Sequence, residues 1–272
     1  MVARLARDGY LGLAAAFMAL RLFQIKPWDQ SVDAYAYWST AHGPMYGQVA
    51  GLMGAYLYSP AFAQLLTPIT ILPWPVFATI WTGLNFAALW YVLGRWSLPA
   101  MLFLPIPFEI ISGNVHLLYA AVIVAGFRAS APWALMLLTK VTPGVGLVWF
   151  AVRREWPALA LAVGVTAGIA AVSFALDPSA WRAWFDILLS SSSTPVTLGW
   201  FLPVPLLVRL PIAFVVGVAA AAADRRWLLP VAVAVAMPVV WLNSLAVLAA
   251  CVPLWRQRRE RGLANAGVAL TP

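Results

Sequence analysis

Apolar runs of about 15–22 residues follow one another along almost the whole chain, and each needs about 30 Å of hydrocarbon if it spans alone. Nothing in the 272 residues is left over for a water-soluble domain. Only 10% of the residues are charged, and the mean hydropathy is +0.86. The fold class this predicts is all-α: a polytopic integral membrane protein with about eight to ten membrane helices, several of them short or broken. No fixed-period repeat is visible, and proline and glycine are spread along the chain, so a single domain is expected over 1–272.

Charge placement supplies the path. The net charge of +8 does not point to nucleic acid, because the basic residues sit in small clusters between apolar runs, as orientation signals do. Arg4 and Arg7 come first, then Arg95, Arg128, Arg153 with Arg154, Arg225 with Arg226, and the run at 256–261. With all of these in the cytoplasm, helix one runs outward over 9–25, uncleaved, and 26–57 form a first outer loop. The chain returns over 58–94, with a short piece before Pro73 and a full span after it. It goes out and back between Arg95 and Arg128, turning near 112–114. Between Arg128 and Arg153 two full spans cannot fit, so two half-helices should meet at 139–144. Residues 156–176 go out, 177–198 form a second outer loop, and 199–223 return. A short pair over 228–255 turns near 238–244, and 256–272 is a cytoplasmic tail. Both termini are then cytoplasmic. Cys251, the one cysteine, falls in the last apolar run and reads as a core thiol.

This path gathers Asp29, Asp33, His42, Asn114, His116, Lys140 and Asn243 on the outer side. An ionisable group at membrane depth is costly unless paired or hydrated, so each is a functional candidate. Asp33 leads them. It stands among tyrosines, a tryptophan and apolar residues, where a carboxylate could act as a base; the plainer alternative is a capping or solvated loop carboxylate. Asp29 lies beside Lys26 and reads as a local ion pair. Lys140 sits at the expected break, between Thr139 and Val141, with Pro143 close behind. A compact ammonium there suits a phosphate oxygen; the plainer alternative is a lysine snorkelling from a helix end. Asn114, after Gly113, marks a tight turn and is a second candidate for phosphate. Tyr35, Tyr37, His42, Tyr58, His116 and Asn243 are candidates for substrate contact. Trp38, Trp181, Trp184 and Trp200 fall in the outer loops, where they could stack on a sugar or lipid. No paired-acid DxD, HExxH, Walker-A or GxSxG pattern is present, and no second histidine follows His116 to suggest a metal site.

The order of these blocks is similar to that of a known family. "DAYAYW" at 33–38 is followed by "YLYSPAFAQLLTPITILPWPVF" at 56–77, "GNVHLLYA" at 113–120 and "LLTKVTPGVGLVWFAVRREW" at 137–156. Together they resemble glycosyltransferase family 87, of the GT-C class, in its actinobacterial form. A late "MPVVW" at 237–241 resembles a family Ser-Pro-Ile-Ser-Trp block in degraded form, with Leu242, Asn243 and Ser244 where the family often has histidine. The resemblance implies a GT-C-like bundle in the plasma (inner) membrane with an extracytoplasmic active site. It implies a polyprenyl-phosphate sugar donor, with mannose the sugar, and a glycolipid or glycan acceptor. Asp33 matches the family's catalytic acid in the first outer loop, and Lys140 its lysine before proline, here with two residues intervening.

Resemblance and residue chemistry converge on one scheme: Asp33 takes the acceptor's proton, Lys140 steadies the leaving phosphate, and configuration inverts. No cofactor or metal is expected. Two rivals share the sequence features: a transporter or flippase of lipid-linked sugar, and a catalytically silent glycolipid-binding relative. The first usually carries internal symmetry, which is absent here.

Overall fold

The computed structural model describes residues 2–24, 31–48, 52, 54–191 and 202–265, and every regular element among them is helical. Helix α1 covers Val2–Leu22 and so starts before the expected residue 9. Arg4 and Arg7 extend it, because arginine is a good helix former. The expected first outer loop contains a short helix, α2 (Val32–Trp38). Lys26 and Asp29 lie outside the described residues, as does Trp200.

Next come α3 (Pro60–Thr70) and α4 (Trp74–Leu93), matching the short piece and full span expected around Pro73. α5 (Ser97–Ala100) continues α4. α6 (Pro105–Ser112) and α7 (His116–Gly126) form a pair bent by 111°. The expected half-helices are α8 (Trp133–Thr139) and α9 (Val148–Val152), joined by a 3-10 stretch over Thr142–Leu147. α10 (Trp156–Leu176), α11 (Pro178–Ser191), α12 (Leu206–Ala222) and α13 (Leu229–Val235) follow. A 3-10 stretch over Leu242–Ala250 then runs into α14 (Cys251–Asn265). Prolines sit at the starts of α3, α4, α6, α10 and α13. A first turn has no use for the missing N–H, and the fixed φ suits it. This is why so many short helices begin where the sequence places proline.

Among the described residues two segments, Trp74–Ala100 and Trp156–Leu176, are individually long and apolar enough to cross a membrane, and the bent α6–α7 pair has the length and composition of a broken span or a re-entrant loop. α10 is apolar on all sides and buries only Ala162 and Ser173. Such a helix fits a lipid-facing position.

The expected second outer loop is largely α11. Its Trp181 and Trp184 are not open platforms. They lie one turn apart, on one face, packed with Ala61, Ala134 and Leu138. Their indole N–H groups donate to Ser173 Oγ at 3.0 Å and to the Leu57 carbonyl at 3.1 Å. Burying two large rings against α3 and α8 outweighs leaving them exposed at the surface.

α4 runs the depth of the fold, about 30 Å for its 20 residues. At its start, Trp74 meets Tyr35 and Trp38 of α2. Past its end, Arg95 and Arg256 both lie over the Trp96 ring, at 5.7 and 4.8 Å. α1 runs antiparallel to it. Tyr10 stacks on Trp90, while Arg21 reaches Thr82 and the end of α6. Arg4, Arg7, Arg95 and Arg256 therefore belong to one end, and α2 to the other, as the charge pattern requires.

Candidate active site

The turn between α6 and α7 is the floor of a polar cluster. Gly113 adopts φ 71°, the left-handed region that lets a helix end without steric cost. A Cβ there would stand 2.7 Å from the Ala34 Cβ. Glycine is required twice over: for the turn, and for the close approach of α2. Trp81 fixes the same turn by donating its indole N–H to the Gly113 carbonyl at 2.6 Å. The approach of α2 brings Asp33 over the turn.

Asn114 follows. Its Oδ1 accepts the Val115 backbone N–H at 2.8 Å and faces the hydroxyls of Tyr37 and Tyr58 at 3.3 and 3.4 Å. Those donors define which end of the amide is oxygen, so the NH₂ end donates to the Asp33 carboxylate. Tyr37 and Tyr58 share a hydroxyl contact of 3.2 Å. Asp33 is half-buried. Burial pushes its carboxyl above the usual aspartate range, and the nearby Glu109 carboxylate adds to this. Lys140 and the Asn114 hydrogen bond pull the other way.

Lys140 caps the end of α8 in extended conformation, φ −133° and ψ 114°. The helix ends there because Pro143 cannot continue it and the preceding residues turn away. Its ammonium lies 5.6 Å from the Tyr58 ring centre and 6.0 Å from that of Tyr119. Thr139, whose Oγ1 bonds Tyr119 and the Leu135 and Met136 carbonyls, anchors the same strand of chain. Asp33 and Lys140, 107 positions apart in the numbering, interact electrostatically in one site.

Beneath them is a carboxylate the sequence reading passed over. Glu109, in α6, is fully buried. Its Oε2 lies 2.9 Å from His116 Nδ1 and accepts from Asn243 Nδ2 at 3.0 Å. Its Oε1 accepts the His116 backbone N–H. His116 Nε2 is 3.0 Å from Lys140 Nζ. The signal was available: Glu109 is one of nine acids and stands alone in an apolar run, where an ionisable residue is a functional candidate by default.

The structure thus brings together Asp33, Tyr37, Tyr58, Asn114, His116, Lys140 and Asn243. It does not bring in His42, which is exposed, stacks on Trp38 at 3.8 Å and bonds the Trp38 carbonyl. Tyr35 packs against Trp38 and Trp74, to one side. Trp38 donates its indole N–H to the Leu72 carbonyl at 2.8 Å.

The architecture is that of a helical integral membrane protein, with broken helices arranged around a buried ionisable cluster at one end. Sequence comparison gives the class a family. The chain belongs to glycosyltransferase family 87, whose family model matches residues 56–271, and it is therefore a membrane glycosyltransferase. No curated protein and no solved structure gives a match. The matched span holds Tyr58, Glu109, Asn114, His116, Lys140 and Asn243; Asp33, Tyr35, Tyr37 and His42 precede it.

Proposed function

We propose that the protein transfers a sugar, with mannose the first candidate, from a polyprenyl-phosphate donor to a glycolipid or glycan acceptor, with inversion at the anomeric carbon. The observation that carries this reading is the convergence of Asp33 and Lys140 on one pair of residues: Asn114 bonds Asp33 and the Tyr58 hydroxyl, and the Lys140 ammonium lies over the Tyr58 ring. Asp33 accepts the proton of the acceptor hydroxyl as that oxygen bonds to the anomeric carbon. The bond from that carbon to the phosphate oxygen breaks, and polyprenyl phosphate leaves with the electron pair. Lys140 stabilises the negative charge gathering on it. Asn114 orients Asp33 with one amide hydrogen and offers the other to the donor phosphate. Tyr37 and Tyr58 line the space between base and cation.

The positive-inside rule supports a cytoplasmic position for the end bearing Arg95 and Arg256, and with it a site on the outer face. A lipid-linked donor then enters sideways between helices, and α10, apolar all round, is a natural neighbour of its tail.

The test is transfer by purified protein in nanodiscs, with radiolabelled polyprenyl-phosphate mannose and a lipid extract as acceptor. Wild type is expected to give labelled product. Asp33→Asn is expected to give none while eluting as the same folded species. Substantial transfer by that variant would remove Asp33 as the base.

A further inference from the structure

Four hydrogen-bond partners surround the buried Glu109 carboxylate. They are the backbone N–H groups of His116 and Leu117 at the start of α7, the His116 ring, and the Asn243 amide. Asn243 is itself fixed by a second bond, to Ser112 Oγ at 3.0 Å. Three of them, the two backbone N–H groups and the Asn243 amide, can only donate; the ionised form fits that set, with the imidazole as the fourth donor. A carboxylate can only accept, so His116 Nδ1 carries the hydrogen between them. The other ring nitrogen then bears a lone pair, and the Lys140 ammonium donates to it across 3.0 Å. Both nitrogens of His116 are thereby used, in a side chain with no exposed surface. His116 and Asn243 are not free to touch substrate. The ammonium, only half-buried, keeps its other two hydrogens for a ligand.

We propose that Glu109, His116 and Asn243 are positioning residues, which hold the Lys140 ammonium toward the donor phosphate through one imidazole of fixed tautomer. This rests on the polyprenyl-phosphate reading for the identity of the ligand, but not for the geometry. The groups facing Lys140 are Asp33 from α2, Tyr58 ahead of α3, Glu109 from α6, and His116 and Tyr119 from α7. Glu109 differs from Asp33 in being sealed from the ligand. It can steady the cation without competing for the acceptor's proton. A glutamine at 109 would turn an NH₂ toward donors and release the tautomer.

The experiment uses full-length protein in nanodiscs, labelled with ¹⁵N-histidine. The chain has two histidines, so a His42→Asn background leaves His116 alone. Its spectrum is expected to show a neutral ring with hydrogen on Nδ1, and Glu109→Gln is expected to shift hydrogen to Nε2. Hydrogen on Nε2 in the unmutated site overturns the proposal at once, whatever the variant does.

Binding of a short-chain polyprenyl phosphate is measured alongside. Glu109→Gln is expected to weaken it about tenfold, the range of one charge-assisted contact. In a Lys140→Met background the same change is expected to have little further effect, which a merely structural role would not produce. Equal weakening in both backgrounds, or unchanged binding in Glu109→Gln, overturns the proposal. The alkaline limb of transfer is expected at lower pH in Glu109→Gln, because the lost carboxylate no longer favours the protonated lysine. Correct tautomer and coupled phosphate binding without transfer from polyprenyl-phosphate mannose would sink the donor reading and leave the positioning role standing.

Discussion

Two of the breaks in the helices face each other, one between α6 and α7 and one between α13 and the 3-10 stretch at 242–250. Each break strips backbone carbonyls of their partners inside the membrane-embedded fold, where each unsatisfied group is costly. Each is answered by a buried arginine from another helix. Arg21 of α1 donates to the Ile110 and Ile111 carbonyls, with Thr82 and Gln24 taking its other hydrogens. Arg209 of α12 donates to the carbonyls of Val204, Val235, Met237 and Pro238 at 2.6–2.9 Å.

The amide sides differ. At the second break the Trp241 N–H is taken by Ser244 Oγ, a neutral cap. At the first, the amides opening α7 are taken by the Glu109 carboxylate. That single difference puts a charge into the core, which then recruits His116, Lys140 and Asn243. A break closed by neutral groups stays architectural, and one closed by a carboxylate becomes a place for chemistry.

The comparison is broken most directly at Lys140. Lys140→Met is expected to lower transfer about 10²–10³-fold, the range for loss of one group stabilising a developing anion. The fold should persist, which size-exclusion and thermal unfolding would check. If activity survives, the first break is no more chemical than the second.

Arg209→Met should do the opposite. Losing several charge-assisted bonds to buried carbonyls is expected to cost about 3 kcal/mol or more of stability, read as a lowered Tm in detergent. Turnover per folded molecule should change little. Arg21→Met, with two carbonyls at stake, should cost less, and a larger loss than at Arg209 would reverse the ranking.

Gly113→Ala is expected to cost about 1–2 kcal/mol for the left-handed backbone alone. The contact with Ala34 adds to this and should push α2, and Asp33 with it, off the turn. Activity should therefore fall more than stability does, which paired Tm and transfer assays would separate.

The smallest effect expected is on pH. Asp33 must be ionised to act as a base, and its carboxyl is held above the usual range. kcat/KM should fall as pH drops through that raised value, at a limb above the ordinary aspartate figure of about 3.9. Asn114→Ala removes a bond that lowers it, and should move the limb further up.

Much of the path was legible beforehand. Proline positions announced where short helices begin, and arginine clusters ordered the ends. The length between Arg128 and Arg153 called for half-helices where α8 and α9 stand, and a turn was expected near 112–114, where α6 meets α7. Asp33, Asn114 and Lys140 were legible because each is polar in apolar company. His42 met the same criterion and stands apart, since its ring finds Trp38 one turn away within its own segment. Trp181 and Trp184 read as open platforms because nothing local said that α11 would form and turn that face inward.

By itself, the sequence determined that this is a helical membrane protein, where many of its short helices start, and most of the polar groups that must be accounted for. These follow from local rules: proline geometry, apolar length and charge placement act within a segment or a loop. Only the tertiary structure decided that Glu109 meets His116, that His116 meets Lys140, and that Asn243 closes the set from the far end of the chain. Hydrogen bonds act over about 3 Å. Which groups come that close is set by how helices remote in sequence pack, and no local pattern encodes it.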